Sequence, residues 1–243
     1  MSKPAEYGSD YRQSHMSKGA DYDRDLATGD FNTYMANRED ELLRKLVPSL
    51  FPEGIPRYLD FACGTGRITS VMEQMAKTSF GMDVSESMVK QARKRCKNTE
   101  FVLGDITAQS TDLEPFNCVT AFRFFGNAQD SLREAVLEQL SKVVVKHGYL
   151  IINNHRNPKS LHERLLMLKG DTPETDLDHV KLRELLAAHQ FKVVRTIGVG
   201  IWACSHSLRR APYQSGLRHL EFLSSLPGVG SLCPDAVIVA QRT

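Results

Sequence analysis

The sequence predicts an α/β fold: a doubly wound, mostly parallel seven-stranded sheet with helices on both faces and an antiparallel last strand. Three observations carry this expectation. From Arg57 onward, short apolar runs alternate with segments whose apolar residues recur at helical spacing. The first run ends in a glycine turn at Gly64 and Gly66, and an acidic residue marks each of the first three runs, at Asp60, Asp83 and Asp105. Regular alternation of this kind builds crossover units and a parallel sheet, and mixed sheets accept an antiparallel strand.

The elements follow in order. Residues 36–50 read as a helix with Leu42, Leu43, Leu46 and Leu50 on one face, broken by Pro52, Gly54 and Pro56. Tyr58–Ala62 is the first strand, and Ile68, Val71, Met72 and Met75 then share one helical face. Ser79–Val84 is the second strand, and Ser85 is placed to cap a helix carrying Met88, Val89 and Ala92. Phe101–Leu103 and Phe116–Ala121 are strands; Leu132, Val136, Leu140 and Val143 mark a long helix. His147 and Gly148 read as a turn into the strand Tyr149–Asn153. Leu182, Leu185, Leu186 and His189 set a helix before the strand Phe191–Ile197. A helix over about 213–226 stops at Pro227 and Gly228, and Asp235–Ala240 closes the sheet. The organisation expected is an N-terminal helical arm over 1–50 acting as a lid, and one domain over 51–243 with covering insertions at about 156–178 and 200–234.

Composition excludes several classes. The chain of 243 residues is 41% hydrophobic with a formal net charge of +2, which is incompatible with disorder as its main state. Its near-neutral balance argues against bulk electrostatic binding of nucleic acid. No apolar run reaches the ~18 residues of a membrane helix, and the first fifteen residues lack the apolar core of a secretory signal. The five cysteines form no CxxC pair and read as reduced thiols, so a cytoplasmic protein without a metal site is expected.

In an open α/β sheet, ligands bind beyond the carboxyl ends of the strands. There stands Asp60-Phe61-Ala62-Cys63-Gly64-Thr65-Gly66, where glycines let backbone approach a ligand. Asp83 follows the second strand, seventeen residues beyond Gly66, where a carboxylate can accept from a ribose diol, and Gly104-Asp105-Ile106 follows the third. A dinucleotide fingerprint fails because Ala62 and Arg67 stand where glycines are required. A short-chain dehydrogenase would need Tyr-x-x-x-Lys, and a P-loop Gly-Lys-Ser/Thr; both are absent.

With these three motifs in order, the chain resembles the class I S-adenosylmethionine-dependent methyltransferases, in particular those acting on small molecules. The resemblance covers about residues 30–155. The first glycine of the family's opening motif is Ala62 here. What the resemblance implies is S-adenosyl-L-methionine as cofactor: Ala62 and Gly64 under its methionine part, Asp60 near its ammonium, and Asp83 on the ribose. Val84 and Met88 would then pack on the adenine, Asp105 and the Ile106 amide would meet its edge, and Phe122 would touch the methionine moiety. Tyr22 and Arg38 resemble the arm residues that grip the cofactor carboxylate in related small-molecule N-methyltransferases, a task suited to a guanidinium fork.

Arg123 and His155, just past the fourth and fifth strands, are the catalytic candidates; a histidine there could act as general base. Each residue also has an ordinary reading. Arg38 could pair with Glu39 or Glu41, Asp105 could serve only as a turn former, and His155 could bond a loop carbonyl. Cys63 reads as a loop filler, and Trp202 as core or pocket wall. His206, Arg209, Arg210, Arg218 and His219 read as a basic cap for an anionic acceptor or as a solvated flank.

The expected reaction is in-line methyl transfer to oxygen or nitrogen of a small organic acceptor by a monomer or homodimer. The alternatives are methylation of RNA or protein, or a non-catalytic cofactor-binding activator subunit. Against nucleic-acid bases, the fourth strand ends Phe122-Arg123-Phe124-Phe125 and not in Asn/Asp-Pro-Pro-Tyr/Phe, and no Pro-Cys nucleophile is present.

Overall fold

Helix α1 (Asp30–Leu50) leads into β1 (Ile55–Phe61), α2 (Arg67–Met72), β2 (Ala76–Asp83), α3 (Glu86–Arg95) and β3 (Thr99–Leu103). The second half comprises β4 (Phe116–Ala121), α4 (Asp130–Val143), β5 (Val144–Asn154), α5 (Leu161–Met167), α6 (His179–Ala188) and β6 (Phe191–Val199). Two 3₁₀ segments, Gly216–Ser225 and Val229–Leu232, precede β7 (Asp235–Arg242). The structure, a computed structural model, describes residues 30–108, 114–155, 157–168, 170, 177–201, 216–226 and 228–243.

The seven strands form one sheet in the order β3-β2-β1-β4-β5-β7-β6. The pairs from β3 to β5 are parallel, and β7 runs antiparallel between β5 and β6, as the sequence predicts. The order reverses between β1 and β4, which opens a crevice at their carboxyl ends.

Period-two alternation divides the core into two layers. Leu59, Val119, Leu150 and Ile238 pack with α4 and α6 on one face. Tyr58, Cys118, Ile151 and Val237 pack with α1 and α2 on the other. Helices thus cover both faces of the strands, the arrangement that parallel sheets need.

Three elements differ from expectation. β5 is continuous through His147 and Gly148: His147 takes φ 65°, and the register against β4 shifts between Phe116 and Cys118, so the expected turn is a bulge inside the strand. The segment Gly216–Ser225 is a 3₁₀ helix, not an α-helix. Leu217, Leu220, Leu223 and Leu226 recur every third residue, which matches three residues per turn. Helix α5 is additional; Ser160 caps it by accepting from the Glu163 amide at 3.2 Å, half of a Ser-x-x-Glu capping box. Among the described residues no helix is long and apolar enough to cross a membrane.

Candidate functional site

The loop after β1 is shaped by three left-handed residues, Ala62 (φ 53°), Gly64 (φ 54°) and Gly66 (φ 77°). Ala62 occupies that conformation despite its methyl group, at a cost of roughly 1–2 kcal/mol. The loop forms the floor of a cleft at the carboxyl ends of the strands. Phe61, Ala62 and Gly64 line it from β1; Met82, Asp83, Val84 and Met88 from β2 and α3; and Gly104 and Asp105 from the end of β3. Phe122, Arg123 and Phe124 close it from β4, with Leu132 and Val136 behind them on α4.

Asp83 is the hinge of this geometry. One carboxylate oxygen accepts from the Gly64 amide at 2.8 Å and the other from the Ser85 amide at 2.9 Å. The carboxylate therefore ties the glycine loop to the end of β2 while facing the cleft. Asp105 also faces the cleft, with Oδ1 accepting from the Thr107 amide at 2.8 Å and its hydroxyl at 2.7 Å. The turn-former role and the cleft position coexist. A Cβ on Gly64 would meet nothing within 4 Å, so that position opens into the cleft.

Residues 59–148 match a family model described as a methyltransferase domain. That stretch of the chain resembles a methyltransferase domain. A demethylmenaquinone methyltransferase of Thermotoga maritima is 33% identical over 116 residues, 46% of this chain and 50% of the relative. The chain spans about half the length of the curated relatives it matches. The solved magnesium protoporphyrin IX methyltransferase of Synechocystis with bound S-adenosylhomocysteine (SAH) superposes at TM-score 0.67 and 17% identity, covering 96% of this chain and 98% of that one. An N-methyltransferase of Bradyrhizobium japonicum in complex with SAH superposes at TM-score 0.62 and 15% identity, covering 97% and 99%. These likenesses establish the class I methyltransferase fold.

Several expected site residues lie elsewhere than the cleft wall. Asp60 is 2% exposed beneath the floor, accepting from Thr69 Oγ1 at 2.5 Å and Thr120 Oγ1 at 2.7 Å. Burial pushes its carboxyl up to about 6, helped by the nearby Asp83 charge and opposed by the two hydroxyls and Arg67. The Ile106 side chain is fully buried in the core, whereas the expectation for this residue concerns its backbone amide.

His155 is also buried, with its ring against Gly126, where an added Cβ would approach Cε1 to 2.9 Å. Its Nε2 lies 3.3 Å from Asn127 Oδ1, and Asn127 Nδ2 donates to the Arg123 carbonyl at 2.6 Å. The expected general base thus does not line the cleft and reaches its wall through Asn127.

Arg38 lines a second cavity with Tyr34, Asn37, Glu41, His219 and Glu221. It donates to Glu41 at 3.0 Å, the local pairing the sequence allowed. Tyr22, Trp202, His206, Arg209 and Arg210 lie outside the described residues. Cys63 packs with Val89, Ala92, Cys96 and Phe101, and burial raises its thiol well above the ordinary range, consistent with a filler.

Sequence reasoning missed the cleft roles of Phe61, Met82, Leu132 and Val136, which it assigned to strand or helix core. It also missed Glu39, which falls between Met35 and Leu43 on the apolar stripe of α1. A charge within an apolar stripe is a signal that could have found it.

Proposed function

We propose that this chain is an S-adenosylmethionine-dependent methyltransferase that methylates oxygen or nitrogen of a small organic acceptor. The anchored Asp83 carboxylate at the cleft wall carries the reading. The residues present fit the cofactor: the open position at Gly64 leaves space above the loop, and Asp83 offers a carboxylate for a ribose diol. A carboxylate has about four acceptor sites, so anchoring on amides is compatible with diol recognition. Met82, Val84, Met88, Leu132 and Val136 supply apolar walls suited to an adenine, with Asp105 for its amino edge.

The cofactor supplies a methyl group on a sulfonium, already a good leaving group. The protein's work is then alignment and exclusion of water, and orientation of this kind recovers roughly 7–11 kcal/mol of barrier. Arg123 and Phe124 are placed to border the acceptor. In this reading His155 acts through Asn127 as a positioning residue of that wall.

The test is calorimetry with SAH on wild type and Asp83→Ala, alongside methyl-transfer assays on small-metabolite, RNA and protein pools. Loss of a charged acceptor is expected to weaken SAH on the order of 1.5–3 kcal/mol. Equal affinity in the variant overturns the cofactor assignment. Transfer confined to RNA or protein overturns the acceptor class, and binding without any transfer favours an activator subunit.

A further inference from the structure

A chain of buried polar groups runs from α1 to the cleft wall. Glu39 is 2% exposed and accepts from Arg67 Nη2 at 2.5 Å, while Arg67 Nη1 donates to Asp40 at 3.1 Å. The other Glu39 oxygen, Oε1, accepts from Asn153 Nδ2 at 2.7 Å. Asn153, 1% exposed, turns its Oδ1 to the Arg123 amide, which donates to it at 2.5 Å. Arg123 is on the cleft wall and holds φ 58°, a left-handed conformation that a side chain normally resists.

The donor and acceptor chemistry makes this chain directional. A carboxylate only accepts and a backbone N–H only donates, so one orientation of the Asn153 amide satisfies both neighbours. With no carboxylate at position 39, that orientation has no enforcing partner. The amide that steadies Arg123 in its unfavourable conformation is then released. Local strain of this type persists only where the surroundings over-determine it.

We infer that Glu39 is a positioning residue of the cleft: through Asn153 it holds Arg123 left-handed and so sets the wall from Phe122 to Phe124. The inference rests on the cofactor reading of that cleft. Glu39→Gln is nearly isosteric and cannot serve both ends. If its oxygen faces Asn153, its amino group faces the Arg67 guanidinium, donor against donor. If it flips, Asn153 must flip with it, and two donors meet at the Arg123 amide.

Two readouts test this on the full chain. The first needs no ligand: Arg123 amide hydrogen exchange is expected to accelerate in Glu39→Gln while the exchange of β1 amides is retained. The second is SAH affinity by calorimetry, expected to fall about tenfold in Glu39→Gln. In an Arg123→Gly background, glycine holds the left-handed conformation without help, so the Glu39→Gln penalty there should shrink to less than about twofold. Should Glu39→Gln not fold, Asn153→Ala breaks the same chain and carries the same expectations.

An unchanged Arg123 exchange rate, or an equal SAH penalty in both backgrounds, overturns the inference. Wild-type protein that does not bind SAH overturns the cofactor reading and this inference with it. Wild-type binding with an unaffected Glu39→Gln overturns the inference alone.

Discussion

Gly64 and Gly66 sit two residues apart, both left-handed, yet substitution should harm the protein in different ways. A Cβ at Gly66 would meet Ala92 Cβ and Cys96 Sγ at 3.0 Å, where α3 packs on the loop. Gly66→Ala is expected to lower stability by about 1–3 kcal/mol, read from the urea midpoint. At Gly64 the methyl group enters open cleft, so Gly64→Ala is expected to weaken SAH more than it lowers that midpoint. Asp60 gives a pH prediction. Its carboxyl titrates at about 6 in the fold against an ordinary 3.8, because burial disfavours its charge. A raised folded-state value means that the folded protein keeps this proton after the unfolded chain has lost it. The contribution to stability is full below about pH 4 and declines as pH rises to about 6, by up to about 3 kcal/mol. The difference between wild type and Asp60→Asn in urea midpoint, followed from pH 4 to 7, should show that slope. A flat difference would contradict it.

Helix α6 is set by one side chain. Asp178 Oδ1 accepts from the Val180 amide at 2.7 Å and the Lys181 amide at 2.9 Å, and Lys159 Nζ lies 2.6 Å from Oδ2. Burial works to raise this carboxyl, but the Lys159 hydrogen bond and the two amides outweigh it and hold the group below the ordinary range. Asp178→Ala is expected to cost about 1 kcal/mol, with faster amide exchange in the first turn of α6. Asp178→Asn, which keeps the cap oxygen, should lose less. Such caps are local and therefore legible: Ser85 was assigned as the cap of α3 from sequence, and its Oγ accepts from the Met88 amide at 3.4 Å. The 3₁₀ segment was less legible, because an apolar residue every third position fits one stripe of either helix type over two turns.

Helix α1 joins the same core as the sheet. Met35, Leu43 and Val47 are at most 1% exposed and pack with β1 and α2, so the arm expected as a lid is anchored in the body from Met35 onward. Deletion of residues 1–50 is expected to abolish the cooperative thermal transition, since each such side chain contributes roughly 1.5–3 kcal/mol by burial. Circular dichroism melting checks this; a truncated protein with an unchanged transition would show that the arm is dispensable.

Periodicity and turn chemistry act over a few residues. The strand–helix alternation, the glycine loop and the carboxylates at Asp83 and Asp105 could therefore be read from the chain alone. Which polar groups face the cleft could not. Asp60 is held beneath the floor by Thr69 and Thr120, His155 packs against Gly126 and Asn127, and Arg38 pairs with Glu41 on its own helix, contacts that only the folded chain brings together. Glu39 and Asn153 meet across 114 residues of sequence. A hydrogen bond of that span exists only after α1 has packed on the face of the sheet to which β5 turns Asn153, and no local pattern encodes it.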